Sequence, residues 1–171
     1  MANTYTLIAS NTLSSTAATV TFSSIPASYT DLVLRYSVRG DIAGTDSLQT
    51  GIQLNGTTSG YSQTYLYGNG ASAASSRATS QSSLEAVQED SAGNTSNTFA
   101  SAEIYIPNYQ SSANKPVSRF NASEQNGATA YISAHAGLSN VTSAITSITI
   151  KTNANNFVSG SSFFLYGIKN S

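Results

Sequence analysis

Along most of this chain apolar and polar residues alternate one by one, the period at which a strand sends its side chains to opposite faces of a sheet. The clearest run is Asp31–Arg39: Leu32, Leu34, Tyr36 and Val38 fall on one side, Val33, Arg35, Ser37 and Arg39 on the other. Ahead of it Ala18, Val20 and Phe22 alternate with threonine until Ile25-Pro26 closes the run. Leu48, Thr50, Ile52 and Leu54 alternate with Gln49, Gly51 and Gln53 and lead into Asn55-Gly56. That dipeptide is the strongest short hairpin signal. Tyr61, Gln63, Tyr65 and Tyr67 share a face of the next run, and Ala100, Ala102, Ile104 and Ile106 share one before Pro107. A further strand is expected through Val117 to Ser123.

Next come Ala128, Ala130, Ile132, Ala134, Ala136 and Leu138, all on one side of an unusually long run. Small residues in that pattern predict an inward face that lets a second sheet, or a neighbouring subunit, come close. The chain then alternates through Ile145–Lys151 and ends in Ser162–Lys169, which is apolar on both sides and predicts a central strand.

With Tyr5–Ile8 this makes about nine or ten strands separated by short turns. The expectation is an all-β protein: a two-sheet antiparallel β-sandwich, jelly-roll-like, forming a single domain over residues 1–171. Gly70–Ser83, rich in Ala and Ser, reads as a surface loop, and Leu84–Glu89 as one helical turn or another short strand. No solenoid repeat is visible.

Composition narrows what such a fold can do. Serine and threonine make up roughly 30% of the 171 residues, far above ordinary usage. Asp, Glu, Lys and Arg together reach only 9%, with one His and no Cys or Trp. Acid–base, nucleophilic and metal chemistry draw on those scarce residue types, so the chain reads as built for contact and not as an enzyme. Seven basic against eight acidic residues leave a net charge of -1, no footprint for nucleic acid and no basic cluster for a membrane surface. The first residues have neither a basic start nor a long apolar run, so no signal peptide is expected. No cofactor is implied.

Each candidate site has a plain structural reading beside it. Gly68-Asn-Gly-Ala-Ser-Ala73 matches G-x-G-x-x-A, but the dinucleotide mechanism needs a helix opening there, and none is expected. His135 would need an activated Ser and an orienting Asp to form a triad, and no G-x-S-x-G elbow is present. A polar or interface histidine is the better reading. Asp41 with Asp46, or Glu85 with Glu89 or Asp90, offers oxygens to a cation without the spacing of a calcium loop. Arg39-Gly40-Asp41 resembles an adhesion tripeptide where a turn is expected, and Asn55, Asn94, Asn121 and Asn140 begin chance N-x-S/T sequons. Among ten tyrosines, Tyr61, Tyr65, Tyr67 and Tyr109 stand in or beside turns. Rings with a hydroxyl suit subunit or ligand contact, and core or subunit-contact tyrosines are the plain reading beside ligand binding.

Four stretches carry a resemblance: Ser24–Arg39, Tyr65–Gly70, Ser101–Tyr109, and Ala144–Ile150 leading into Phe157–Ile168. In that order, and over nearly the whole chain, they resemble a family of small virion proteins of tailed bacteriophages, common among phages of cyanobacteria and other aquatic bacteria. The resemblance implies a jelly-roll-like sandwich on the virion surface, made in the host cytoplasm, often a homotrimer, with no catalytic residues to carry over. Members occur as stand-alone proteins and as tail-fibre modules. The short, stalkless chain favours a capsid decoration or cement protein that binds the major capsid protein. The alternative is a tail-fibre or receptor-binding component that adheres to host glycan.

Overall fold

The computed structural model describes residues 4–45, 47–86, 88–125, 127 and 129–169. They form two antiparallel sheets facing each other, with no helix among the described residues. Twelve strands appear: β1 Tyr5–Thr12, β2 Thr19–Phe22, β3 Asp31–Val38, β4 Thr50–Leu54, β5 Tyr61–Gly68, β6 Ala73–Gln81, β7 Leu84–Glu85, β8 Ala100–Ile106, β9 Lys115–Gln125, β10 Thr129–Ser139, β11 Ile148–Thr152 and β12 Ser162–Ile168. The larger sheet runs β1-β12-β3-β8-β9-β10-β5-β6 and the smaller β2-β11-β4-β7. The alternation of the sequence is thus realised as a sandwich, and β12 is paired on both sides as its apolar run predicts.

The ten strands expected from alternation all form, and two are additional. Leu84–Glu85 is the short-strand alternative for that segment. β6 corrects the reading of Gly70–Ser83 as a loop. It is an edge strand held by backbone pairing to β5 and exposed along most of its length, so no buried side chains imprint a period on its sequence. Asn69 opens the turn into it, its side-chain carbonyl accepting from the N–H of Ala71 and Ser72. The glycine-rich match at Gly68 is therefore the corner of a strand pair.

Asn55-Gly56 departs from expectation differently. Both residues take the left-handed conformation, φ 52° and 68°, and Thr57 N–H bonds to Leu54 carbonyl at 3.0 Å, as in a type I′ turn. The strands on either side nevertheless join different sheets. The Asn55 side chain accepts from the backbone of Thr146 and Ser147, tying the turn to the segment entering β11 and carrying the chain across the sandwich.

The apolar core lies where the small sheet covers one half of the large one. Val20, Phe22, Ile52, Leu54, Ile148 and Ile150 pack onto Leu32, Leu34, Val38, Ile104, Phe163 and Leu165, all nearly inaccessible. Burial of such side chains contributes about 1.5–3 kcal/mol each. The remaining inner face of the large sheet, on β9, β10 and β5, is polar, and there the chain inverts an ordinary sandwich.

Candidate functional site

On β10 the buried residues are Tyr131, Ser133, His135 and Ser139, while Ala130, Ile132, Ala134, Ala136 and Leu138 are exposed. The alanine side therefore faces outward, which corrects its expected inward placement; Ala128 lies outside the described residues. The small residue that admits the second sheet is Gly137, where a Cβ would stand 2.7 Å from a methyl of Leu84. β9 follows the same rule: Val117, Arg119, Asn121 and Ser123 are buried and Phe120 is 50% exposed.

The polar inner half is a sealed network. Arg119 Nη2 donates to Glu89 Oε1 at 2.7 Å, and the Tyr36 hydroxyl donates to the same oxygen at 2.5 Å. Thr50 joins through Arg119 and Tyr36, and the guanidinium lies 5.5 Å from the Tyr36 ring centre. Burial first of all holds the Tyr36 phenol well above its usual range, with Arg119 opposing. Beside this network Ser133 donates to Asn121 Oδ1, and its hydroxyl lies 2.9 Å from His135 Nε2. A serine that spends its proton on an amide cannot give it to the imidazole. The pair has the wrong polarity for a nucleophile and its base. Burial, reinforced by Arg119, lowers His135 to about 3, so the ring is neutral. His135 is the buried polar histidine that the sequence favours.

The other candidates disperse. Glu89 is committed to Arg119, Asp90 accepts from the Glu124 N–H at 2.8 Å, and Glu85 sits apart on β7. Burial raises the Asp90 carboxyl. Asp41 binds the backbone and side chain of Asn156, which lowers its carboxyl, and Asp46 lies outside the described residues. No group of three or more His, Asp or Glu suited to a metal ion occurs among the described residues. Arg39 is buried with its guanidinium on the carbonyls of Asn94, Thr95 and Thr98, so Arg39-Gly40-Asp41 braces two loops. The sequon residues Asn94 and Asn121 are buried too.

The tyrosines split into two pairs. Tyr61 and Tyr109 are only 1% exposed. Tyr61 accepts from Leu54 N–H and donates to Thr57 carbonyl, and Tyr109 donates to Pro26 carbonyl. Their place in the core follows the plain structural reading and takes them out of the candidate subunit or ligand contacts. Tyr65 and Tyr67 remain half-exposed where β5 and β6 overhang the small sheet. Tyr65 stacks on His135 at 5.1 Å and Tyr67 on Tyr131 at 5.8 Å, with 6.0 Å between the two. Burial and the neighbouring tyrosines raise the Tyr131 phenol to about 12.

The feature that sequence reasoning misplaced is the outer face of the large sheet. Every exposed large apolar residue among those described lies there: Tyr5, Leu7, Leu66, Phe120, Ile132 and Leu138, 42–61% exposed. The outer face of the small sheet presents Thr19, Thr21, Gln53, Glu85, Thr149 and Lys151 instead. Leu66, Phe120, Ile132, Ala74 and Ala134 line an open groove of about 540 Å³ on β9, β10, β5 and β6. Contiguous exposed apolar surface of this kind marks a contact site. The fold thus defines a β-sandwich whose small sheet shows a wetted outer face and whose large sheet carries an apolar patch on β9, β10 and β5 beside the exposed Arg35–Glu103 pair. Compared with protein-family models and with curated proteins, the sequence matches none.

Proposed function

We propose that this chain is a non-enzymatic structural protein of a tailed-phage virion, displayed on the particle surface as a capsid decoration or cement protein. The observation that carries this reading is the apolar outer face of the large sheet, opposite a wetted one. It gives the molecule a side to bury and a side to show. The scarce reactive groups support the same reading, because Arg119, Glu89 and His135 are spent inside the sandwich. The protein acts by joining itself and the major capsid protein into a wider contact that must be broken before the shell opens. Burial contributes about 25 cal/mol for each Å² of apolar area.

Immunogold electron microscopy of the phage that encodes the chain tests this directly. Label is expected over the head, and particles lacking the protein are expected to open at lower temperature than complete ones. Label on the tail alone, or equal heat resistance, overturns the cement role.

The half-exposed Tyr65 and Tyr67, each stacked on a buried ring, favour a second reading, a tail-fibre or receptor-binding component that holds host glycan against aromatic rings. Under that reading the purified protein binds host cells saturably, and Tyr65→Ala with Tyr67→Ala abolishes binding. Unchanged binding in that variant removes it.

A further inference from the structure

We infer that the outer face of β9, β10 and β5 is where two copies of this chain meet across a two-fold axis. The strands themselves supply the first reason. A sandwich normally points apolar residues in and polar residues out; β10 does the reverse along its described length, with Ile132, Ala134, Ala136 and Leu138 outward and Ser133 and His135 inward. A one-residue slip would restore the ordinary arrangement, yet β10 holds its register with both β9 and β5 through continuous pairing. The outward set is thus specified by the fold.

The second reason is that this face suits itself. Paired rows run Ser118–Ala136–Thr64, Phe120–Ala134–Leu66 and Ala122–Ile132–Gly68 across the three strands, with no charged residue among them. An uncharged face meets its own copy without like-charge repulsion and offers a charged partner nothing to pair with. Projecting Leu66 and Phe120 and the groove beside them belong to one patch, the requirement of an isologous contact, in which each copy presents the same surface.

Charge is confined to the rim, Glu124 at the end of β9 included. β6 and β8 lie two strands to either side of β10. A two-fold axis along β10 therefore lays β6 of one copy over β8 of the other, bringing Arg77 to the side of the Arg35–Glu103 pair, whose carboxylate already holds Arg35 at 2.7 Å. The area also suffices. Five strands from β8 to β6, averaging about nine residues, cover roughly 750 Å² at ~4.8 Å spacing and ~3.4 Å rise. A standard interface buries roughly 800 Å² on each partner.

The experiment uses the purified full-length chain and takes advantage of its lack of cysteine. Analytical ultracentrifugation is expected to give a two-chain mass, with self-association weakened on the order of 100-fold in Leu66→Glu and in Phe120→Glu. Ala134→Cys, near the axis, is expected to give linked pairs with a short bis-maleimide that reaches across the spacing of two packed sheets, whereas Thr21→Cys on the wetted face stays single. A one-chain mass for the native protein, at concentrations well above micromolar, overturns the inference and leaves the face to a different partner. A three-chain mass, the form the family resemblance implies, overturns it equally, as does failure of Ala134→Cys to link. Circular dichroism checks that the variants fold, and the cysteine result stands where a glutamate variant does not. The inference concerns the isolated chain, so its failure is separable from that of virion attachment, which the gold label reads.

Discussion

Arg119→Met is expected to destabilise the fold by about 3–5 kcal/mol, because it leaves the Glu89 carboxylate buried without its cation. Glu89 is fully inaccessible and Arg119 is 4% exposed. Only the Tyr36 hydroxyl would remain to answer Glu89 Oε1, and Oε2 already has no hydrogen-bond partner. Arg119 Nε and Nη1 are likewise unpartnered, so the pair is costly to keep as well as to break. Removing both charges as Arg119→Met with Glu89→Leu is therefore expected to recover most of the loss, and Tyr36 then needs only Thr50. Urea unfolding of the two single variants and the double one gives the coupling directly. The thermal midpoint of Arg119→Met should fall by roughly 10 °C or more for a chain of this size. A single-variant loss below about 1 kcal/mol would show that the network is not sealed.

Lowering the pH is expected to destabilise the protein through His135 before its carboxylates matter. The ring is held at about 3 in the folded chain, by burial first and Arg119 second, against an ordinary 6.5. Between those values the unfolded chain takes up a proton that the folded one refuses. Stability is therefore complete above pH ~6.5 and falls as pH drops toward ~3. At 1.36 kcal/mol per pKa unit the loss is about 2 kcal/mol at pH 5 and on the order of 4 kcal/mol near pH 3. His135 is the only imidazole in the chain, so the window from pH 7.5 to 5.5 reports on this one side chain. His135→Gln keeps a polar group beside Ser133 and should flatten the stability profile there. A native profile already flat between pH 7.5 and 5.5 would mean that water reaches the ring.

Much of the fold was legible because a half-buried strand writes its two faces into alternate residues. β3, β8, β11 and β12 could be placed on that ground, with their buried Leu, Ile and Phe side chains. β6 was not, since both its faces meet water and only the backbone holds it. The turn at Asn55-Gly56 was legible as a turn but not as a crossing between sheets. Its direction depends on Asn55 binding Thr146 and Ser147, about ninety residues away. Of the four tyrosines, nothing local separates Tyr61 and Tyr109, which bury their rings and bond backbone groups, from Tyr65 and Tyr67 on the overhang.

The sequence by itself determined that the chain pairs as antiparallel strands and that little reactive chemistry is available. It also set which residues of each strand share a side. Only the tertiary structure decided which side is inside. Period two is symmetric under exchange of faces, so Ala130–Leu138 reads the same whether it points to the core or to water. The choice falls on the neighbours. Arg119 meets Glu89, and Ser133 joins Asn121 to His135, beneath the segment that follows β7. Outside, Arg119 would leave the buried Glu89 carboxylate without its cation. That requirement turns the alanine side outward and gives the protein its apolar face.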